Sequence, residues 1–522
     1  MAAHNFYKCD SVLYAPGLGM RPLQHFGRFL DCSEVAKRTC HKRHIVIDSL
    51  GNSDYRQGIA AAPGFQEKVV APALCAIATN RENNWMRLRV LAKNVPATGY
   101  KLIRVVPDNN PAATKSTLTA TADSLENEFI RLKLDPKTGC ITSLFDKRSN
   151  TEALALPVQS EGSPAASPDG LPCGNLLQAF VDKPKEWDAW NIDADFVKQH
   201  WDLMQADEVK LVENTPLRAV IRVKRHFQKS GFVQDITIYP GVPRVDVRMQ
   251  ADWHEQHILL KVAFPVNARS DKATFEIPYG SIERPTTRNT PAEQAQFEVP
   301  ALRWADISGP DAGAPPFSPG VGERVGPVHG FSLLNDSKYG YDAKDNVLRL
   351  SLLRSPTWPD PETDQGRHEF TYSLYPHGGT WREALAVHQG YELNYGLMAM
   401  TTGQHPGPLP AEKSFFSTTE DNVVITAIKK QAPQPPVQAT YDGQPRTVYP
   451  EEGALIIRFY EWAGKKGDIH LHLPQPGTAA WEMNLMEVAQ SPLSLAANPN
   501  VLAVPTNPYE IKTVKVQFYN HF

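Results

Sequence analysis

The chain has 522 residues, with 54 Lys+Arg against 57 Asp+Glu and a net charge of −3. That near-balance excludes a nucleic-acid binder or an acidic tail protein, which carry lopsided sums. Hydrophobic residues at 41% and charged residues at 21% describe a globular chain, long enough for two to four domains of ~150 residues.

A membrane span needs ~20 apolar residues, and the longest apolar run, near Val69–Ala78, is broken by Pro72. The start, Met1 to Phe6, lacks the basic-then-apolar order of a secretory signal. The six cysteines (Cys9, Cys32, Cys40, Cys75, Cys140 and Cys173) include no C-x-x-C pair. The expectation is free thiols in a reducing cytoplasm rather than a disulfide framework. The lone sequon, Asn335-Asp336-Ser337, has no expected role without a signal peptide.

Residues 1–44 show poor apolar periodicity and a basic cluster from Lys37 to His44, which suits a solvated or disordered arm. Cys32, Cys40, His41 and His44 fit no standard zinc spacing. From residue 45 strand signals dominate, and Pro 44 with Gly 33 implies many turns. Ile130, Leu132 and Leu134 alternate before an Asp135–Gly139 turn, and Ile141 begins the return strand. Ala219, Ile221 and Val223 form a second one-sided set. Val245, Val247, Met249, Ala251 and Trp253 form a third, with Arg244, Asp246, Arg248, Gln250 and Asp252 on the other face. Leu348, Leu350 and Leu352 form a fourth. Ile469, Leu471 and Leu473 form a fifth, with His470 and His472 on the solvated side. Thr380 and Glu383 form a capping box that predicts one helix from there. The Thr401–Glu412 stretch reads as a linker, and Ala432–Pro436 as the start of a hairpin excursion. The fold class is all-β: a large antiparallel sandwich (a supersandwich), then a smaller C-terminal β-sandwich, with few helices.

Common catalytic signatures are absent: there is no phosphate-binding P-loop, dinucleotide fingerprint or nucleophile elbow. His254-Glu255-Gln256-His257 is one residue short of a zinc-protease motif and follows a strand, so its histidines lack the shared helix face that motif needs. His200-Trp201-Asp202 reads as surface. Three loop clusters carry more chemistry. The first runs from Arg354 through Trp358, Asp360, Asp364 and Arg367 to His368. The second spans Asp182 to Trp190, and the third Glu283 to Asn289. Carboxylates, guanidinium groups and aromatic planes are the groups that bind sugars, and the same groups also scaffold loops.

At these clusters the sequence resembles the C-terminal half of glycoside hydrolase family 38, the α-mannosidases, in its cytosolic and bacterial branch. The blocks that carry the resemblance run in order. They include Leu125–Leu132, Gly174–Gln178, Asp182–Pro184 with Trp187-Asp188-Ala189-Trp190, Ala251–Glu255 and Ile277–Gly280. Further along come Leu333–Asp336, the Leu352–His368 loop, Ile456–Glu461, Asn484–Glu487 and Glu510–Thr513. The match spans about residues 85–520 and leaves residues 1–44 unmatched. The expected organisation is a small β domain at 45–110, a large β-sandwich of the α-mannosidase middle/C-terminal type at 111–400, a linker at 401–412 and a C-terminal β-sandwich at 413–522.

The resemblance implies hydrolysis of terminal α-mannosyl residues, retaining and zinc-dependent in the complete enzyme. Family members carry the zinc ligands, the nucleophile and the acid/base carboxylate on a preceding α/β domain. No such set is expected on this chain, which therefore has no cofactor and no catalytic residue of its own. Its expected partners are mannose-containing glycans and the N-terminal catalytic half, in cis or in trans, with neither nucleic acid nor membrane; self-association is a further expectation. An aromatic patch bordered by Trp187, Trp190 and Trp358 is expected where that half would pack. The expected substrate-binding residues are Arg354, Asp360, Asp364 and His368, with Asp360 and Asp364 orienting the Arg354 guanidinium. The competing reading is a stand-alone, non-catalytic carbohydrate-binding or structural β-sandwich.

Overall fold

The computed structural model describes residues 91–519 apart from 109–115, 156–170, 314–326, 404–405, 433–436, 442, 449–452 and 496–497, and five strands between residues 6 and 90. The Cys32, Cys40, His41 and His44 cluster lies outside the described residues. Within the N-terminal segment read as an arm, Phe6–Tyr14 forms a strand paired with Gly99–Asp108. The linker is anchored at its end, where Glu412–Ser414 pairs with the opposite edge of the same Gly99–Asp108 strand.

A nine-stranded antiparallel sheet faces a six-stranded one. The alternating residues meet between them. Ala219, Ile221, Val223, Val245, Val247, Met249 and Trp253 line one wall, and Leu348, Leu350 and Leu352 the other, all buried. Phe264 of the six-stranded sheet packs 5.3 Å from Phe331 of the nine-stranded sheet, ring centre to ring centre. Apolar burial of this extent is the main stabilising term of the domain. A five-stranded sheet that includes Ile130–Leu134 and Ile141–Asp146 joins the same core.

Alternation failed to predict the second faces. Arg244 and Asp246 point away from the core as expected, yet both are buried. The Ala386–Asn394 helix supplies Gln389, which accepts from Arg244 at 3.2 Å, and Ser373 donates to Asp246 at 2.7 Å. The Ile258–Pro265 strand is buried on both faces. Lys261 is fully buried there, with its ammonium donating to Asp342 at 2.6 Å and to Glu298. Such a charge is tolerable only when paired.

The capping box forms, with the Thr380 amide donating to Glu383 at 2.8 Å. It closes a turn, and the helix itself starts only at Ala386. Leu385 takes a left-handed φ of 55°, which interrupts the helical ladder. The interruption leaves Trp381 buried between Trp304 and Trp462, at 4.9 and 6.0 Å. Tyr460 and Trp462 belong to the C-terminal sandwich, so this aromatic cluster joins the two domains.

That second sandwich packs a five-stranded against a three-stranded sheet. Ile469, Leu471 and Leu473 are buried, while His470 and His472 are exposed. After the proline-rich break, Val437–Tyr441 and Gln444–Val448 form a hairpin.

The cysteine expectation is corrected. Cys140 and Cys173 form a disulfide, with Cα atoms 5.7 Å apart. Tertiary pairing of Ile141 with Gly174 brings them together, which sequence spacing could not show. Thiol content therefore carries no argument for a compartment. Among the described residues no helix is long and apolar enough to cross a membrane. Asn335 of the sequon is buried, and its side-chain amide donates to Leu302 O and to the Tyr341 hydroxyl.

Two predictions follow from packing and charge. Gly139 closes the first hairpin at φ 65°, and a Cβ there would stand 2.4 Å from a Val223 methyl. Gly139→Ala should cost about 2 kcal/mol or more, through left-handed strain and overpacking, read from urea denaturation. The second concerns the exposed His470 ring, which bonds Glu420 at 2.7 Å. That bond raises the imidazole pKa. Burial pushes Glu420 up, but its bonds from the His470 side chain and amide outweigh that and leave it lowered. A raised histidine stabilises fully below its ordinary pKa of ~6.5 and loses that contribution as pH rises through the raised value. Wild type and His470→Gln should differ in Tm near pH ~5.5 and converge near pH ~8.5.

Candidate functional site

Strand order brings three distant loops to one end of the six-stranded sheet. Leu176–Val181 and Val347–Arg354 flank Ile258–Pro265, with Val181 opposite Ile258 and Arg354 opposite Leu259. Both neighbours run antiparallel to the central strand. Their outgoing ends, Asp182 and Arg354, therefore meet beside its incoming end at His257.

Arg354 is the centre of the junction. Its guanidinium donates to both oxygens of Asp182, and to the backbone carbonyls of Asp188 at 2.8 Å, Ala189 at 2.9 Å and Asn191. Asp182 is buried, and burial pushes its carboxyl above the usual range against the pull of Arg354. The expected orienting residues are thus corrected: the carboxylate that holds Arg354 is Asp182, not Asp360 or Asp364. Loops far apart in sequence meet here, so proximity along the chain was the wrong guide.

Asp188 ties the Asp182–Trp190 loop to the loop that follows Arg354. One carboxylate oxygen accepts from the Thr357 amide at 2.8 Å, the Trp358 amide at 3.1 Å and the Thr357 hydroxyl at 3.3 Å. His257 Nδ1 lies 3.4 Å from the other oxygen, and His257 Nε2 lies 3.1 Å from the Thr357 hydroxyl. Burial raises the Asp188 pKa, but the Thr357 amide, the His257 charge and the Trp358 amide outweigh it, and the net shift is downward. The sequence reading flagged Asp188 within its cluster but gave it no partner. His257 was considered only as half of a zinc look-alike. Its φ of 54° is left-handed, a region in which histidine is enriched.

Three tryptophans stand on this frame. Trp187, Trp190 and Trp358 are 65%, 66% and 56% exposed. Trp190 and Trp358 meet edge to face at 5.4 Å, with planes 62° apart. The Trp187 carbonyl accepts from the Trp190 and Asn191 amides, both at 2.8 Å. The remaining predicted residues lie further along the loop that follows Arg354. Asp360 is exposed and accepts from the Glu362 amide at 2.9 Å. Asp364 is exposed with φ 58°, and its carbonyl bonds the half-buried His368 ring at 2.7 Å. The third sequence cluster serves packing: Arg288 clips the carbonyls of Pro285, Thr287, Gln296 and Ala343.

Zinc does not fit the described residues. No group of three or more His, Cys, Asp or Glu side chains among them is arranged to hold a metal. His254 bonds Asp252 at 3.1 Å, and Glu255 is taken by the Lys229 amide and the Ser230 hydroxyl.

Residues 125–362 match the family described as glycosyl hydrolases family 38 C-terminal domain, and residues 422–514 match its C-terminal beta sandwich domain. These matches define the chain as a β-sandwich region of a glycosyl hydrolase. It belongs to glycoside hydrolase family 38, over the C-terminal portion of that family. Alpha-mannosidase 2C1 of Mus musculus is 34% identical over 453 residues, which is 82% of this chain and 38% of that protein. Alpha-mannosidase G of Dictyostelium discoideum is 32% identical over 404 residues, 75% of this chain and 32% of that protein. The chain thus spans about two fifths or less of these relatives. A solved α-mannosidase from Enterococcus faecalis V583 shares the fold with a TM-score of 0.60 at 16% identity, covering 88% of this chain and 51% of that one.

The geometry assigns Arg354 a load that can be measured. Arg354→Ala leaves Asp182 buried and unpaired and releases three carbonyls. It should cost about 3–5 kcal/mol. Amide exchange at Trp190 and Asn191 should accelerate more than exchange in the Val245–Trp253 strand.

Proposed function

We propose that this chain is the β-sandwich portion of an α-mannosidase that removes terminal α-mannosyl residues. In the complete enzyme, by the family resemblance, the reaction is retaining and zinc-dependent. The nucleophile, the acid/base carboxylate and the zinc ligands come from an α/β domain. A retaining pair must hold two carboxyls about 5 Å apart across the scissile bond, and Asp182 and Asp188 are instead occupied in holding loops together. The observation that carries the reading is the Asp182–Arg354–Asp188 junction. It fixes an aromatic rim at one sheet end, which supports a reading in which catalysis falls to another domain. Arg354 positions that rim, and Asp360, Asp364 and His368, which follow Trp358 along the chain, are assigned to meet the sugar.

The test is hydrolysis of an aryl α-mannoside by the purified chain, with its zinc content measured in parallel. The expected outcome is no turnover and no stoichiometric zinc. Activity should appear when the chain is joined to an α/β domain of the family. Turnover by the chain alone that persists through repurification, and is abolished by a substitution in it, overturns the proposal.

A further inference from the structure

We propose that Trp187, Trp190 and Trp358 form a carbohydrate-binding corner, and that this chain binds α-mannosides there without any other domain. The choice of mannoside rests on the function proposed above; the corner itself rests on geometry.

Indole rings are large apolar surfaces that proteins normally bury. Here three stand more than half exposed at one loop junction. The same rings are not held loosely. Trp187 sits at φ 63°, a conformation costly for a bulky residue and retained only where the surroundings impose it. Those surroundings are the Arg354 bonds to the carbonyls of Asp188, Ala189 and Asn191. Trp358 is held by the Asp188 carboxylate on its amide. Fixed loops presenting exposed rings are pre-organised, so ligand binding carries little ordering cost.

The shape selects the ligand. Two indoles at 62° and 5.4 Å make an open corner rather than a flat patch. A pyranose has apolar C–H faces and a polar rim, so it can lay one face on a ring and turn its hydroxyls outward. Exposed polar residues flank the rings along the chain: Lys185 and Glu186 precede Trp187, and Asp360 lies two residues after Trp358.

The experiment uses the full chain and methyl α-mannoside, which also separates this proposal from the catalytic one because nothing is hydrolysed. Saturation-transfer NMR and tryptophan fluorescence should both report saturable binding. Trp358→Ala and Trp190→Ala should each weaken it by roughly tenfold, the size expected for losing one aromatic contact. Trp481→Ala should leave it unchanged, because Trp481 lies in the C-terminal sandwich, stacked with Lys515. Circular dichroism and Tm establish folding, and Trp358→Phe should retain part of the affinity if an Ala variant fails to fold. Absence of saturable binding up to the solubility of the sugar overturns the proposal. So does equal binding by the folded Trp358→Ala and Trp190→Ala variants. A third overturning result is sedimentation showing self-association that those substitutions abolish and methyl α-mannoside does not affect, which would make the corner a protein interface.

Discussion

The Ile258–Pro265 strand is the constraint on which the rest depends. It lies between Leu176–Val181 and Val347–Arg354, with both faces buried. Because both neighbours run against it, residues 172 apart in sequence, Asp182 and Arg354, emerge side by side. A shift of one residue would turn every side chain of the strand to the other face. It would also take Leu260, Val262 and Phe264 out of the core. Core packing and site geometry are therefore set by the same register.

The outer face of that sheet is polar but not solvated. Lys261 and Arg349 meet Asp342, while Glu298 accepts from both Lys261 and Ser351. Phe180, Phe196 and Leu259 pack beside them, and the Phe196 ring lies 5.3 Å from the Lys261 ammonium. The segment that follows Asp182 is thus held at two places. Arg354 grips its start, and Phe196 covers the charged sheet face further on. An aromatic rim needs such support, since a surface loop without it would collapse its rings onto the nearest apolar patch.

The two sandwiches are joined through aromatic side chains. Trp304, Trp381 and Trp462 pack in series with tilted planes, and Tyr279 meets Tyr460 edge to face at 5.6 Å. Burial pushes the Tyr460 hydroxyl pKa upward, as expected for a phenol enclosed by the junction. A cluster of this kind resists sliding and rotation, so the C-terminal sandwich is a fixed neighbour of the larger one.

The sequence alone determined the all-β class, the inward residues of the five alternating sets, the Asp135–Gly139 hairpin and the family. Those features are local or additive. Alternation has a period of two, a turn needs its own residues, and family blocks run in chain order. The tertiary structure alone decided which polar faces are buried, that Cys140 meets Cys173, and where the helix after Thr380 begins. It also decided the partners of Arg354. Asp360 and Asp364 are close to Arg354 along the chain, but strand pairing places Asp182 at the guanidinium. His257 gained its neighbours in the same way. Long-range antiparallel pairing is set by how two whole sheets bury their apolar faces, and no short window of sequence carries that sum.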